Sequence, residues 1–174
     1  MKEVRVDTKI TAGAVAGLIG GVIFALMAQL ITTSTSSGDR ISMLTTAAAT
    51  VHSHWWLTGW VASLVYAVVI GGLFGWLLRT QTQTLNERPL MIWGGLYGVV
   101  WWLVSGLVVV PLLLGRVPLS PDAIAVMRPV VLASLAEHVV YGVILGFTFA
   151  WITKYVDRRR GGIYGATNSA RRAA

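Results

Sequence analysis

Apolar residues run almost unbroken through four stretches of the chain, about Ile10 to Ile31, Gly59 to Leu78, Leu90 to Leu114 and Val130 to Thr153. Neither the alternation of a half-buried strand nor the single apolar stripe of a soluble surface helix is present in them. Each has roughly the 20 residues that cross about 30 Å of hydrocarbon at 1.5 Å per residue. The pattern predicts an all-α membrane domain over residues 1–156, a four-helix bundle, followed by a basic, disordered tail over 157–174. The first stretch follows Met1-Lys2-Glu3-Val4-Arg5. It is too long, and lacks the small-x-small site, for a cleaved leader, and reads as a retained span.

The segments between the spans differ in kind. Thr80 to Pro89 is short and polar, whereas Thr32 to Thr58 and Gly115 to Pro129 are longer. Ser120-Pro121-Asp122 has the form of a helix start, with serine as the cap, proline at the first position and an acid at the positive end of the dipole. A short interfacial helix is expected there, and a counterpart within Ile41 to His54.

The halves of the chain also resemble each other. A shift of 75 places Val65-Tyr66 on Val140-Tyr141, Gly71 on Gly146, Phe74 on Phe149, Trp76 on Trp151 and Arg79 on Lys154; a shift of 77 places Gly17, Gly21 and Leu26 on Gly94, Gly98 and Leu103. Two copies of a helical hairpin in parallel orientation would give this register. Glycines four apart, at Gly13, Gly17 and Gly21, Gly71 and Gly75, Gly94 and Gly98, and Gly142 and Gly146, form small faces on which helix backbones can approach. They serve either the inside of the bundle or association with a second copy or a larger complex.

Charge then sets the orientation. Of 14 Lys and Arg residues, 11 flank the spans on the side of both termini and three, Arg40, Arg116 and Arg128, on the other. Positive residues accumulate on the cytoplasmic side, so both ends are expected inside, in a cell (inner) membrane. The net charge of +7 belongs to this asymmetry and not to a nucleic-acid surface, because the basic residues sit beside apolar segments. With 12% charged residues and no cysteine, disulfides, thiolate metal sites and cysteine nucleophiles are excluded. No phosphate loop, nucleophile elbow, zinc-protease helix or dinucleotide fingerprint is present, and no enzyme is expected.

Candidate chemistry centres on Glu137 and His138, the only Asp, Glu, His, Lys or Arg within the four stretches. Counted from Lys154 they stand about 25 Å up; the same ruler brings Ser105 to that height and Gln29 to within one turn above it, and Ser63, which the repeat aligns with His138, joins them. Charged residues inside a bilayer are costly and usually face the bundle interior, where they find partners. Either this is a proton-handling or ligand-binding cluster, histidine titrating near neutrality, or an interhelical hydrogen-bond set with a purely structural role. His52 and His54, with His138, are a further conceivable ligand set for zinc, and a haem or chlorin on His138 is another; no cofactor is predicted. Trp55, Trp56 and Trp60 suit the headgroup boundary. Trp101 and Trp102 lie deeper, where lipid, a partner or an apolar ligand would meet them.

Trp93-Gly94-Gly95-Leu96-Tyr97-Gly98, Pro111, Gly115, Pro118 and Glu137-His138-Val139-Val140-Tyr141-Gly142 together resemble the YagU-like group of small bacterial inner-membrane proteins, over residues 90–155. The resemblance implies a multi-pass fold, an inner-membrane location and a loose link to acid tolerance. Beyond the bilayer, the expected partner is a larger membrane complex or a second copy. The expected role is that of an accessory subunit or small stress-related membrane protein, with a small transporter or channel using Glu137 and His138, or a metal- or pigment-binding electron carrier, as alternatives.

Overall fold

The computed structural model describes residues 3–34, 40–80, 87–121, 124 and 130–173, and side chains at 8–32, 40–79, 87–121, 124 and 130–158. Four helices are long and apolar enough to cross a membrane, over Thr8–Leu30, Trp56–Leu77, Glu87–Leu113 and Val131–Arg158, in an all-α bundle. They lie within α1 (Glu3–Leu30), α3 (Trp56–Leu77), α4 (Glu87–Val104) continued through α5 (Val110–Leu113), and α6 (Val131–Ala173). A ribbon of β1 (Thr32–Ser34) against β2 (Arg40–Ser42) and a short α2 (Met43–Ala49) join α1 to α3 at the end of the bundle opposite the termini, called here the cap end.

The glycines decide which helices touch. A methyl group on Gly17 would strike the carbonyl oxygen of Ala67, and one on Gly71 that of Gly13, so α1 and α3 meet backbone to backbone. The same holds for α4 and α6. Gly94 and Gly142 each lie under the other's carbonyl oxygen, Gly98 under that of His138, and Gly146 under that of Leu90. Gly75 sits against Lys9, and Gly21 against the side chain of Ala67. In hydrocarbon, where burying apolar surface gives helices no reason to associate, close packing of this kind supplies the attraction.

α1 also runs along α6, while α3 and α4 approach through aromatic side chains. Between them lies the core of Ile70, Phe74, Leu90, Tyr141, Leu145 and Phe149. Tyr97 donates to the carbonyl oxygen of Ile70 at 2.8 Å, and Tyr141 to that of Ala67 at 2.8 Å. Both phenols thereby find an acceptor within the membrane. At the terminal end Lys9 Nζ caps Leu78 O at 3.1 Å, a cation on the negative end of α3, and Lys154 pairs with Glu87 at 3.0 Å.

Three features bear on the sequence reading. The helix expected within Ile41 to His54 is present and packs into the bundle. Leu44 is fully buried against Ala25 and Ala28, its carbonyl oxygen lies over Gly59, and Thr50 Oγ1 reaches Tyr66 Oη at 3.0 Å. α2 is therefore wedged between α1 and α3. It ends in a Schellman motif, Ser53 N to Ala48 O and His52 N to Ala49 O, which places His52 at φ 57°. Second, a helical turn does begin at Ser120-Pro121, with Ile124 N bonded to Ser120 O at 3.1 Å, while Asp122 lies outside the described residues. Third, α6 runs to Ala173, where a disordered tail was expected over 157–174. Extending a helix that its membrane span has already nucleated adds one hydrogen bond per residue without a new nucleus, and no proline interrupts the segment.

Candidate functional site

α4 is not a uniform helix. Pro111 has no N–H to offer the carbonyl of Leu107, four residues back. Immediately before it the chain widens into a π turn over Ser105–Val109, in which Val110 N bonds Ser105 O. Leu107 O is taken instead by Leu119 N at 3.1 Å, from the segment that folds back after Gly115. Gly115, at φ 68°, makes that reversal, with Arg116 N bonded to Pro111 O at 2.8 Å. Short π turns inside α-helices occur frequently at functional sites. This one begins at the residue that touches His138.

His138 is held on both ring nitrogens. Nδ1 lies 2.8 Å from the carbonyl oxygen of Ser134, one turn back on α6. A carbonyl only accepts, so the hydrogen is on Nδ1 and the neutral ring leaves Nε2 as an acceptor. Nε2 is 3.3 Å from Ser105 Oγ, and that hydroxyl is also 3.3 Å from the carbonyl oxygen of Trp102. Phe24 of α1 packs edge-on to the imidazole, with ring centres 5.0 Å apart, and edge-on to Tyr141 at 6.2 Å.

Glu137 has 0% exposure, and neither carboxylate oxygen has a hydrogen-bond partner among the described residues. It shares one buried face of α6 with Ser134, Tyr141, Leu145 and Thr148, the i, i+3, i+4 spacing that stacks side chains on a helix. Tyr141 reaches Ala67 on α3. One turn nearer the cap end on each helix stand Glu137 and Ser63, the latter also buried. Trp102 Nε1 is likewise buried without a partner among the described residues. Glu137 therefore brings an unmatched acceptor group to the cluster, in surroundings where an unmade bond costs about 1–3 kcal/mol.

Of the residues singled out in the sequence, the structure joins His138 to Ser105 and puts Ser63 at the level of Glu137. Gln29 is elsewhere: it is exposed, and its side-chain oxygen accepts from Trp60 Nε1 at 3.3 Å. His52 and His54 are exposed and His138 is not, and no three His, Cys, Asp or Glu side chains gather among the described residues. The proposed three-histidine set is thus not assembled. Trp55 and Trp56 are exposed at the start of α3, 60% and 56%, as boundary residues would be. Sequence reasoning missed Ser134 and the π turn; Pro111, six residues beyond Ser105, was the available signal.

No protein-family model matches this chain, and no curated protein or solved structure matches it.

Proposed function

We propose that the chain is a small multi-pass inner-membrane protein, cytoplasmic at both ends, that binds a proton at Glu137 and His138 in the outer half of the bilayer and responds to external acidity. The carboxyl of Glu137, fully buried and without a partner among the described residues, carries this reading. A purely structural cluster would be expected to satisfy its carboxylate, because an isolated buried charge is among the most expensive groups a fold can hold. The YagU-like resemblance, with its loose link to acid tolerance, points the same way.

The first hairpin supports the reading as an internal control. Under the two shifts, Ala25, Ala28, Gly59, Ala62 and Ser63 correspond to Trp102, Ser105, Ser134, Glu137 and His138. The helix contacts correspond too: Gly17 on Ala67 and Gly71 matches Gly94 on Gly142 and Gly146. We take the hairpins to be two copies of one unit. In the first, Leu44 is seated against Ala25, Ala28 and Gly59, and no ionisable group is needed. The architecture therefore does not demand Glu137 and His138. The aromatic core on the terminal side of the site favours a proton-responsive protein over an open channel.

The test is proton uptake by the purified protein in lipid nanodiscs as the pH is lowered, with acid survival of cells at equal protein level. Glu137→Gln should remove the uptake of one proton and impair survival. Wild-type behaviour in both assays would return the cluster to a structural role.

A second reading rests on a separate observation. Only 11% of the most apolar stretch of the α4 span is buried inside the bundle, against 39% for each of the other three. An accessory subunit that offers this face, including Ile92, Trp93 and Val100, to a transmembrane helix of a larger complex would look so. Purification in mild detergent would yield stoichiometric larger subunits in that case, and the single chain otherwise.

A further inference from the structure

Resting on the proton-binding reading above, we propose that Ser105 is a hydroxyl switch that lets His138 take up and release a proton while both ring nitrogens stay hydrogen-bonded. The geometry supplies every partner in place. In the neutral ring Nδ1–H donates to Ser134 O at 2.8 Å, and the Ser105 hydroxyl donates to Nε2 across 3.3 Å. When a proton from water binds Nε2, that nitrogen becomes a donor and Ser105 Oγ becomes its acceptor. The hydroxyl hydrogen rotates about the Cβ–Oγ bond to the carbonyl oxygen of Trp102, at the same 3.3 Å. One proton is gained, no covalent bond of the serine breaks, and no heavy atom has to move. Release reverses the rotation.

The arrangement depends on this residue and this position. Serine can donate and accept through one rotatable oxygen, whereas alanine does neither and a fixed donor would serve only one state of the ring. Ser105 opens the π turn, and the matching position in the first hairpin is Ala28. Among the described residues, the groups around the imidazole leave the exchange to this contact. α1 presents the ring of Phe24. α4 presents Gly98 and Ser105, with Tyr97 further toward the terminal end and bonded to Ile70 O. α6 itself contributes Glu137, Ser134 and Tyr141, whose hydroxyl is committed to Ala67 O. No Lys or Arg occurs within 10–31, 59–78, 90–114 or 130–153.

The test uses the full chain in lipid nanodiscs with ring nitrogens of histidine labelled by 15N, and a His138→Gln variant to separate its signals from those of His52 and His54. At high pH the His138 ring should carry hydrogen on Nδ1 and none on Nε2, the reverse of the tautomer that free histidine favours. On acidification Nε2 should become protonated. Ser105→Ala should move the midpoint to lower pH by about one unit, the amount by which a hydrogen bond to the charged ring exceeds one to the neutral ring. Ser105→Thr, which keeps the hydroxyl, should hold it near wild type. Hydrogen on Nε2 in the neutral ring, a ring that never titrates, or a Ser105→Ala midpoint equal to wild type would each overturn the switch. The tautomer is read on the wild-type protein, so the proposal stays testable if Ser105→Ala fails to fold. Loss of proton uptake in Glu137→Gln together with an unchanged Ser105→Ala midpoint would remove the switch and leave the proton-binding reading standing.

Discussion

The hydroxyl of Tyr141 donates to the main-chain carbonyl of Ala67 at 2.8 Å, tying α6 of the second hairpin to α3 of the first. Tyr97 makes the companion bond from α4 to Ile70 O, one turn further along α3. Both acceptors are carbonyls inside a helix, and Ala67 is also where Gly17 packs its backbone. The two hairpins are therefore joined by phenols that reach across from a glycine-packed pair of helices. Directly on the cap side of that junction lies the carboxyl of Glu137.

Removing the charge of Glu137 without changing its shape should stabilise the protein. Glu137→Leu should raise the thermal midpoint in detergent at neutral pH by the equivalent of about 1–3 kcal/mol, because an unpaired buried polar group disappears, and Glu137→Gln should raise it less, because its amide is itself left unpaired. A lower midpoint for both would mean that the carboxyl has a partner.

Substituting the packing glycines separates close approach from mere helix content. Gly94→Ala and Gly17→Ala should each lower stability by about 1–3 kcal/mol or more, since the added methyl meets backbone that cannot step aside. Gly72→Ala, where the nearest atom is Ile10 Cγ2 at 3.9 Å, should be neutral or slightly stabilising. Thermal unfolding followed by circular dichroism checks all three.

The wedge formed by α2 predicts a large effect from a short helix. Leu44→Ala should cost about 2–5 kcal/mol, as for other fully buried leucines. Tyr66→Phe, which removes only the bond to Thr50, should cost about 1 kcal/mol. Limited proteolysis at the cap end, faster in Leu44→Ala, provides a second reading.

The ion pair between Glu87 and Lys154 should matter little. Its side chains are 43% and 27% exposed, and pairs of that kind contribute about 0–1 kcal/mol and are screened by salt. Lys154→Ala should unfold within a degree or two of wild type at 0.15 M salt, as read by the same thermal scan.

Orientation is open to a direct measurement because the chain has no cysteine. A single cysteine at His54 should react with a membrane-impermeant maleimide in intact cells, and one at Ser169 only after lysis. The reverse labelling would invert the topology and place Glu137 nearer the cytoplasm.

The sequence by itself determined the four spans to within a few residues, since only long uncharged apolar runs can cross hydrocarbon. It also determined the choice of Glu137 and His138, since no other Asp, Glu, His, Lys or Arg lies within those runs. It put Ser105 at the right height by counting 1.5 Å per residue. That ruler measures depth and not direction around the helix, which is why Gln29 was grouped with the cluster although it faces outward to Trp60. Tertiary structure alone decided the rest. The insertion of Leu44 between α1 and α3 depends on the room left by Ala25, Ala28 and Gly59, residues distant from it in the chain. The contact between Ser105 and His138 depends on the π turn and on Gly98 letting α4 settle against α6. The unmatched carboxyl is likewise a property of what surrounds Glu137, because a residue's partners are set by which faces meet, and in this bundle the meeting faces are chosen by the glycines on which the helices close.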